Sequence, residues 1–219
     1  MDKPVVIWGC GGHGREVRWL CDQIGVQVLG FLDERETMKG SLIDGLPVFG
    51  DLLHIEGLRE TADVVCAGIG DPRVRQRLMD KSINAGFQVS RPLIHPTVLL
   101  SHTVRLGAGS VICAGCTLTV NISLGRCVVI NRNATIGHDV TCGDFVTVAP
   151  GVNISGNVAV DSGAYLGTGA SIREKVHIGA WSVIGGQAFV NSDVPAGKMY
   201  GGVPAVYLKD VGPGTRILR

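Results

Sequence analysis

The chain has 219 residues, room for two small domains, and its 20 Lys plus Arg against 19 Asp plus Glu give no charge excess to hold a polyanion or an anionic membrane. Neither nucleic acid nor a membrane is therefore expected as a partner. No run of eighteen apolar residues occurs, and the opening Met1-Asp-Lys runs straight into a strand pattern, so a transmembrane span and a signal peptide are not expected. Seven cysteines, an odd number at irregular spacing, indicate reduced thiols and a cytoplasmic location.

Residues 4–8, Pro-Val-Val-Ile-Trp, read as a buried strand. Gly9-Cys-Gly-Gly-His-Gly14 follows, and Arg15 to Ile24 then has helical spacing through Val17, Leu20, Cys21 and Ile24. Gly9, Gly11 and Gly14 match G-x-G-x-x-G, which lets a phosphate or sugar approach backbone N–H groups at a helix start. The same glycines would also serve a plain tight turn. Val26 to Leu32 is a second strand ending in Asp33-Glu34, where an acidic side chain can meet ribose hydroxyls. Ala62 to Ala67 is a third strand, closed by Gly68-Ile-Gly-Asp71. Arg73 to Ala85 is a second helix, and Phe87 to Val89 begins another strand. Residues 1–92 thus form a small α/β, Rossmann-like half domain. It is too short for two βαβ halves plus a substrate domain, which counts against an NAD-dependent oxidoreductase.

From Ile94 a period of six takes over. Every sixth residue through Val190 is apolar, seventeen in all, and the position four further on, from Val98 to Val194, is always small or β-branched. Such a register is a repeat. The small residue and the next aliphatic lie two apart and face one side of a short strand, leaving three residues for a corner. Corner positions hold Gly107, Gly109, Gly125, Asn131, Gly137, Gly143, Asp161, Gly163, Gly167 and Gly179, which accept positive φ. Three strands and corners close a triangular coil of about eighteen residues, and coils stack at the ~4.8 Å spacing of paired strands. Residues 93–195 are expected to form a parallel β-helix of between five and six coils, and 196–219 a cap and tail that hides its open edge. Cys113 and Cys116 form a C-x-x-C, but Cys116 points inward and Cys113 sits at a corner, so no metal site is expected there.

A β-helix interior is inert, so chemistry belongs at corners. His138 and Asp139 fall at one, in Gly137-His-Asp-Val140. A carboxylate beside an imidazole favours its proton-bound form and strengthens it as a base. Gly156 occupies the matching position one coil on and is expected to leave room for a substrate. A solvated corner histidine is the alternative. His177 is expected to be solvated on an outer face, His95 and His102 lack an adjacent carboxylate, and His13 sits in the glycine turn.

The glycine turn, the hexapeptide array, Ile136-Gly-His-Asp-Val140 and Gly201-Gly-Val-Pro-Ala205, in that order, resemble the sialic acid O-acetyltransferase family of sugar acyltransferases, left-handed β-helix enzymes that include N-acetyltransferases of nucleotide-linked 4-amino sugars. The left hand comes from the resemblance, since it runs against the usual crossover rule. The resemblance implies a homotrimer with acetyl-CoA in the cleft between adjacent β-helices and no metal. It implies a nucleotide sugar held through Gly11, Gly12, His13, Asp33, Glu34 and Gly70, with His138 as general base and Asp139 supporting it. For the cofactor cleft it points to Thr147, Thr168 and Gly186, with Gly156 beside the base. Some members carry a second histidine where this chain has Thr147. The implied reaction is acetyl transfer to the amine of a 4-amino-4,6-dideoxy nucleotide sugar. Sugar O-acetylation would use the same residues, and a metal-dependent β-helix carbonic anhydrase would need a third histidine from a neighbouring chain placed beside two others, which the six histidines here do not favour.

Overall fold

The computed structural model describes residues 3–212 and 215. Strand β1 (Val5–Trp8) is buried along its whole length because both its faces are covered. It lies in parallel between β2 (Val28–Leu32) and β3 (Asp63–Val65). Helix α1 (Gly12–Gln23) joins β1 to β2, starting three residues earlier than the spacing predicts. Helix α2 (Pro72–Asn84) follows β3; Asp71 caps it by accepting from Arg73 N and Val74 N, and proline fills its first turn. The strand expected at Phe87 to Val89 is reduced to one bridge, Val64 to Val89. A three-stranded parallel sheet is half of a dinucleotide fold, as the length of the segment requires.

Seventeen two-residue strands then run from Leu93–Ile94 to Phe189–Val190. They fill three parallel sheets in rotation, so a first face starts at Leu93–Ile94, a second at Leu99–Leu100 and a third at Arg105–Leu106. Each rung pairs in register with the one a coil above, as Val129 with Thr147 and Ile130 with Val148. The inward aliphatic and small residues from Ile112 to Val194 form one continuous core. At the start of the prism no coil lies beneath, and Leu100 is left 39% exposed. Two inward hydroxyls are satisfied locally: Ser110 donates to Gly125 O, and Ser182 to Gly179 O.

The corners correct one expectation. Positive φ recurs every six residues, but at Gly109, Gly115, Asn121, Cys127, Asn133, Asp139 and their successors. Gly107, Gly125, Gly137, Gly143, Gly167 and Gly179 are not in that region, nor are Asn131 and Asp161. At these glycines the reason is close approach: a Cβ on Gly107 would lie 2.4 Å from Gly125 backbone, and one on Gly137 would lie 2.8 Å from Gly156 N.

The α/β unit packs on the first face. Leu93, Val111 and Val129 share a core with β1 and α1, while Cys127 and Phe145 share one with Trp8, Leu78 and Met79. At the far end, Lys198–Gly201 adds a parallel strand beside Val183–Ile184 and turns back as antiparallel Val206–Asp210. Gly202 and Ala205 bond to the Phe189 backbone, so the cap also closes part of the second face. All seven cysteines are free, and Cys116 donates to Asn131 O. Among the described residues no helix is long and apolar enough to cross a membrane, and no group of three or more His, Cys, Asp or Glu is arranged to hold a metal.

Candidate active site

A cleft of about 720 Å³ opens at the carboxyl ends of β1, β2 and β3. Gly11, Gly12, His13, Asp33, Glu34 and Gly70 all line it, so the structure brings together the six residues expected to bind substrate. The glycines there have different causes. Gly9 has φ +91°, and a Cβ on Gly14 would overlap the Gly9 carbonyl, so both are needed for the turn. Gly11 and Gly12 have nothing within 4 Å of where a Cβ would stand. The protein itself does not require them, and open space above the start of α1 is what an approaching phosphate needs. No side chain caps α1 and its first turn carries no acid, so its N–H groups face the cleft unscreened.

The acidic pair is less free than its position suggests. Asp33 is buried and accepts from Arg35 Nε at 2.7 Å and from Cys10 N at 3.3 Å. Burial opposes its charge, but the bonds from Arg35 and Cys10 outweigh that and hold the carboxyl well below the usual range. Burial and the neighbouring Asp33 push the Cys10 thiol up to about 11. Glu34 pairs with Arg77 and Lys81, and the Arg77 bond is the chief reason its carboxyl sits at about 2. These carboxylates brace the cleft wall; Arg35 and Arg77, which sequence reasoning missed, bring cationic groups to it.

A smaller pocket of about 180 Å³ adjoins the cleft through His13 and Gly70 and has Val129, Asn131, Thr147, Ala149, Pro150 and Tyr165 of the β-helix as its other wall. His13 Nδ1 lies 3.5 Å from Glu16 Oε2, and its buried Nε2 has no hydrogen-bond partner among the described residues. Burial lowers the His13 pKa, against the pull of Glu16.

His138 and Asp139 stand at the corner between the second and third faces, between strands Thr135–Ile136 and Thr141–Cys142. Asp139 takes φ +58°, one of the repeated left-handed positions, and this turns its carboxylate onto the neighbouring ring. Asp139 Oδ2 lies 2.8 Å from His138 Nδ1, and Asn121 Nδ2 donates to Oδ1 at 3.3 Å. The His138 bond, then Asn121, lowers the Asp139 pKa. With Nδ1 on the carboxylate, Nε2 is the ring nitrogen left for a substrate.

Gly156 plays a different part from the one expected. A Cβ there would lie 2.4 Å from His138 Nε2 and 2.5 Å from Cε1, so the imidazole itself occupies the space above this glycine. Thr147 also differs: it is buried on the first face, accepts from Arg75 Nη2 at 2.9 Å and donates to Gly70 O at 2.9 Å. Its one hydroxyl proton is committed to Gly70 O inside the protein, so it has no proton to donate to a cofactor without breaking that bond. Thr168 and Gly186 are exposed and stack one coil apart at the corner between the first and second faces.

The family described as the PglD N-terminal domain matches residues 4–82. A search of curated proteins finds no match. Perosamine N-acetyltransferase from Caulobacter crescentus, solved as a histidine-to-asparagine variant in complex with CoA and GDP-perosamine, is 33% identical, with 94% of this chain and 97% of that one covered and a TM-score of 0.87. The acetyltransferase domain of PglB from Neisseria gonorrhoeae, in complex with acetyl coenzyme A, is 30% identical over 95% of this chain and 100% of its own, with a TM-score of 0.86. WeeI from Acinetobacter baumannii is 28% identical over 94% and 99%, with a TM-score of 0.84.

Proposed function

This chain belongs to the left-handed β-helix nucleotide-sugar N-acetyltransferases, and from that premise we propose that it transfers an acetyl group from acetyl-CoA to the amine of a nucleotide-linked 4-amino-4,6-dideoxy sugar. The observation that carries the reading is that both halves match at once, in a relative bound to CoA and an amino-sugar nucleotide. Acetyl-CoA supplies the acetyl group as a thioester, an activated form that needs no metal. The open backbone at Gly11 and Gly12 and the unscreened start of α1 suit the diphosphate, while Arg35 and Arg77 add positive charge.

His138 acts as general base. As the amine nitrogen bonds to the acetyl carbon and the carbon–sulfur bond breaks, Nε2 takes the proton the amine loses and can return it to the departing thiolate. Asp139 holds the Nδ1 proton, which fixes the tautomer and balances the charge gained by the ring. Thr168 and Gly186 line the cofactor cleft, with Gly156 beside it as the seat of the base.

The corner that carries His138 lies across the prism from the face on which the chain's own α/β unit packs. Base and sugar-nucleotide cleft of one copy therefore belong to different active sites, and a closed ring of three copies would bring each base to its neighbour's cleft. This arrangement supports a homotrimer, and a monomeric mass in sedimentation at micromolar protein would refute it. The seven free thiols suit a cytoplasmic location. The activity is tested by incubating the protein with acetyl-CoA and a panel of UDP-, GDP-, dTDP- and CMP-linked 4-amino sugars, reading free thiol. Release with one amino sugar supports the proposal; release only with hydroxyl acceptors, or none at all, overturns it.

A further inference from the structure

Arg75, on α2, is fully buried, and the Asp71 carboxylate one helical turn earlier favours its charge. Its acceptors are carbonyls and one hydroxyl. Nε donates to Cys127 O at 2.8 Å; Nη1 donates to Ile69 O at 2.7 Å and Gly70 O at 3.3 Å; Nη2 faces Phe145 O at 2.5 Å, Val146 O at 3.2 Å and Thr147 Oγ1 at 2.9 Å. All five guanidinium protons are used. Burial pushes its pKa down to about 10, which leaves it charged at neutral pH.

Two features separate this joint from ordinary packing. First, burying a charge whose hydrogen bonds go to neutral carbonyls and a hydroxyl is costly even with Asp71 nearby, and apolar side chains of similar volume would weld the two domains at least as well. Second, the acceptors come from three places: the loop after β3, and two successive coils of the β-helix at Cys127 and at Phe145 to Thr147. Both Arg75 and the Thr147 hydroxyl converge on the carbonyl of Gly70. Gly70 is in turn shared between the walls of the large cleft and of the small pocket on the β-helix.

We propose that Arg75 and Thr147 are positioning residues: together they clamp Gly70, and so fix the angle at which a nucleotide sugar held by the α/β unit presents its acceptor amine along the β-helix. The inference rests on the acetyltransferase reading above. It predicts an effect on turnover and not on donor affinity, because neither residue faces the corner of Thr168 and Gly186. A misplacement of about 1 Å at a reacting centre can cost on the order of 10²-fold in rate, and losing one of two clamps should cost less.

Thr147→Val is the test, since it keeps the shape and removes only the hydroxyl. Arg75 Nη2 keeps the Phe145 and Val146 carbonyls, so no buried donor is orphaned. Steady-state kinetics are measured with acetyl-CoA and the amino-sugar nucleotide that the parent uses. The expected result is a kcat lower by about tenfold, with KM for acetyl-CoA within twofold and the thermal midpoint lowered by no more than a few degrees, the scale of a lost buried hydrogen bond. Thr147→Ser restores the hydroxyl and should restore kcat to within twofold. A Thr147→Val kcat within twofold of the parent, an equal rise in KM for acetyl-CoA, or a serine variant as impaired as valine overturns the proposal while leaving the acetyltransferase reading intact. A parent that acetylates no amino-sugar nucleotide defeats that reading itself.

Discussion

The β-helix carries two histidine–aspartate pairs, and they differ in one respect that matters. His138 and Asp139 are chain neighbours at a corner, 2.8 Å apart. His177 and Asp161 meet on the third face, 2.9 Å apart, although sixteen residues separate them. The side chains of the first pair are 56% and 46% exposed and those of the second 51% and 47%, so exposure does not distinguish them. The nitrogen does. Asp139 engages Nδ1 and leaves Nε2 above Gly156; Asp161 engages Nε2 itself, and Asp193 takes the His177 backbone N–H. A carboxylate beside an imidazole makes a base only if it leaves the outer nitrogen to the substrate.

The contrast can be broken most directly at His138. His138→Asn should lower kcat by roughly 10²–10⁴-fold, the range for loss of a general base. Because the ring is exposed, the thermal midpoint should hold. A variant that keeps more than about a third of the parent kcat would place the base elsewhere.

Gly156→Ala should come next. Its methyl would meet the imidazole at 2.4 Å, so the ring must leave its seat while the protein stays folded. A loss of roughly 10- to 10²-fold in kcat is expected, the scale of a misplaced catalytic group. Unchanged kcat would show that the seat of the ring is immaterial.

Asp139→Asn keeps the ring and weakens its support, and about tenfold is expected, toward the low end of acid–base effects. The pair also sharpens the comparison through pH. The Asp139 carboxyl titrates below its ordinary 3.8, chiefly because of the bond to His138. The paired carboxylate thus stays charged as pH falls through the ordinary value and is neutralised only below it. In His138→Asn the main cause is gone, so the Asp139 carboxyl followed by NMR should titrate higher than in the parent; an unmoved titration would show that the pair does not form in solution.

His177→Asn marks the smallest effect. Its kcat should stay within about twofold of the parent, since substitutions outside the machinery seldom act on chemistry. A loss comparable to that of Asp139→Asn would erase the distinction between the two pairs.

The sequence disclosed these elements unequally. The β-helix was legible rung by rung, because its period is set by geometry and no insertion disturbs it. The His138 pair was legible because its partners are adjacent. The His177 pair was not: Ala159 pairs with His177 in register, so Asp161 stands two residues beyond the expected neighbour. The repeat register puts His177 on an outer strand face, and its side chain is indeed half exposed, but nothing in the register points to Asp161. The corner glycines were visible, but position alone did not tell close approach from left-handed φ. Arg75 was hidden most completely. It shares a helix face with Leu78, Met79 and Ser82, all buried, and an arginine in such a row reads as a solvated interruption until the carbonyls that receive it are seen.

That arginine also bears on how the chain can assemble. Each rung finds its partner one coil away, so the β-helix can zip up through short closures, with every coil a template for the next. The Arg75 bonds to the β-helix instead span 52 to 72 residues and require two finished coils to supply their acceptors. Docking of the α/β unit is then expected to be the slower, higher-contact-order step, with the charged head of Arg75 hydrated until the coils that receive it exist.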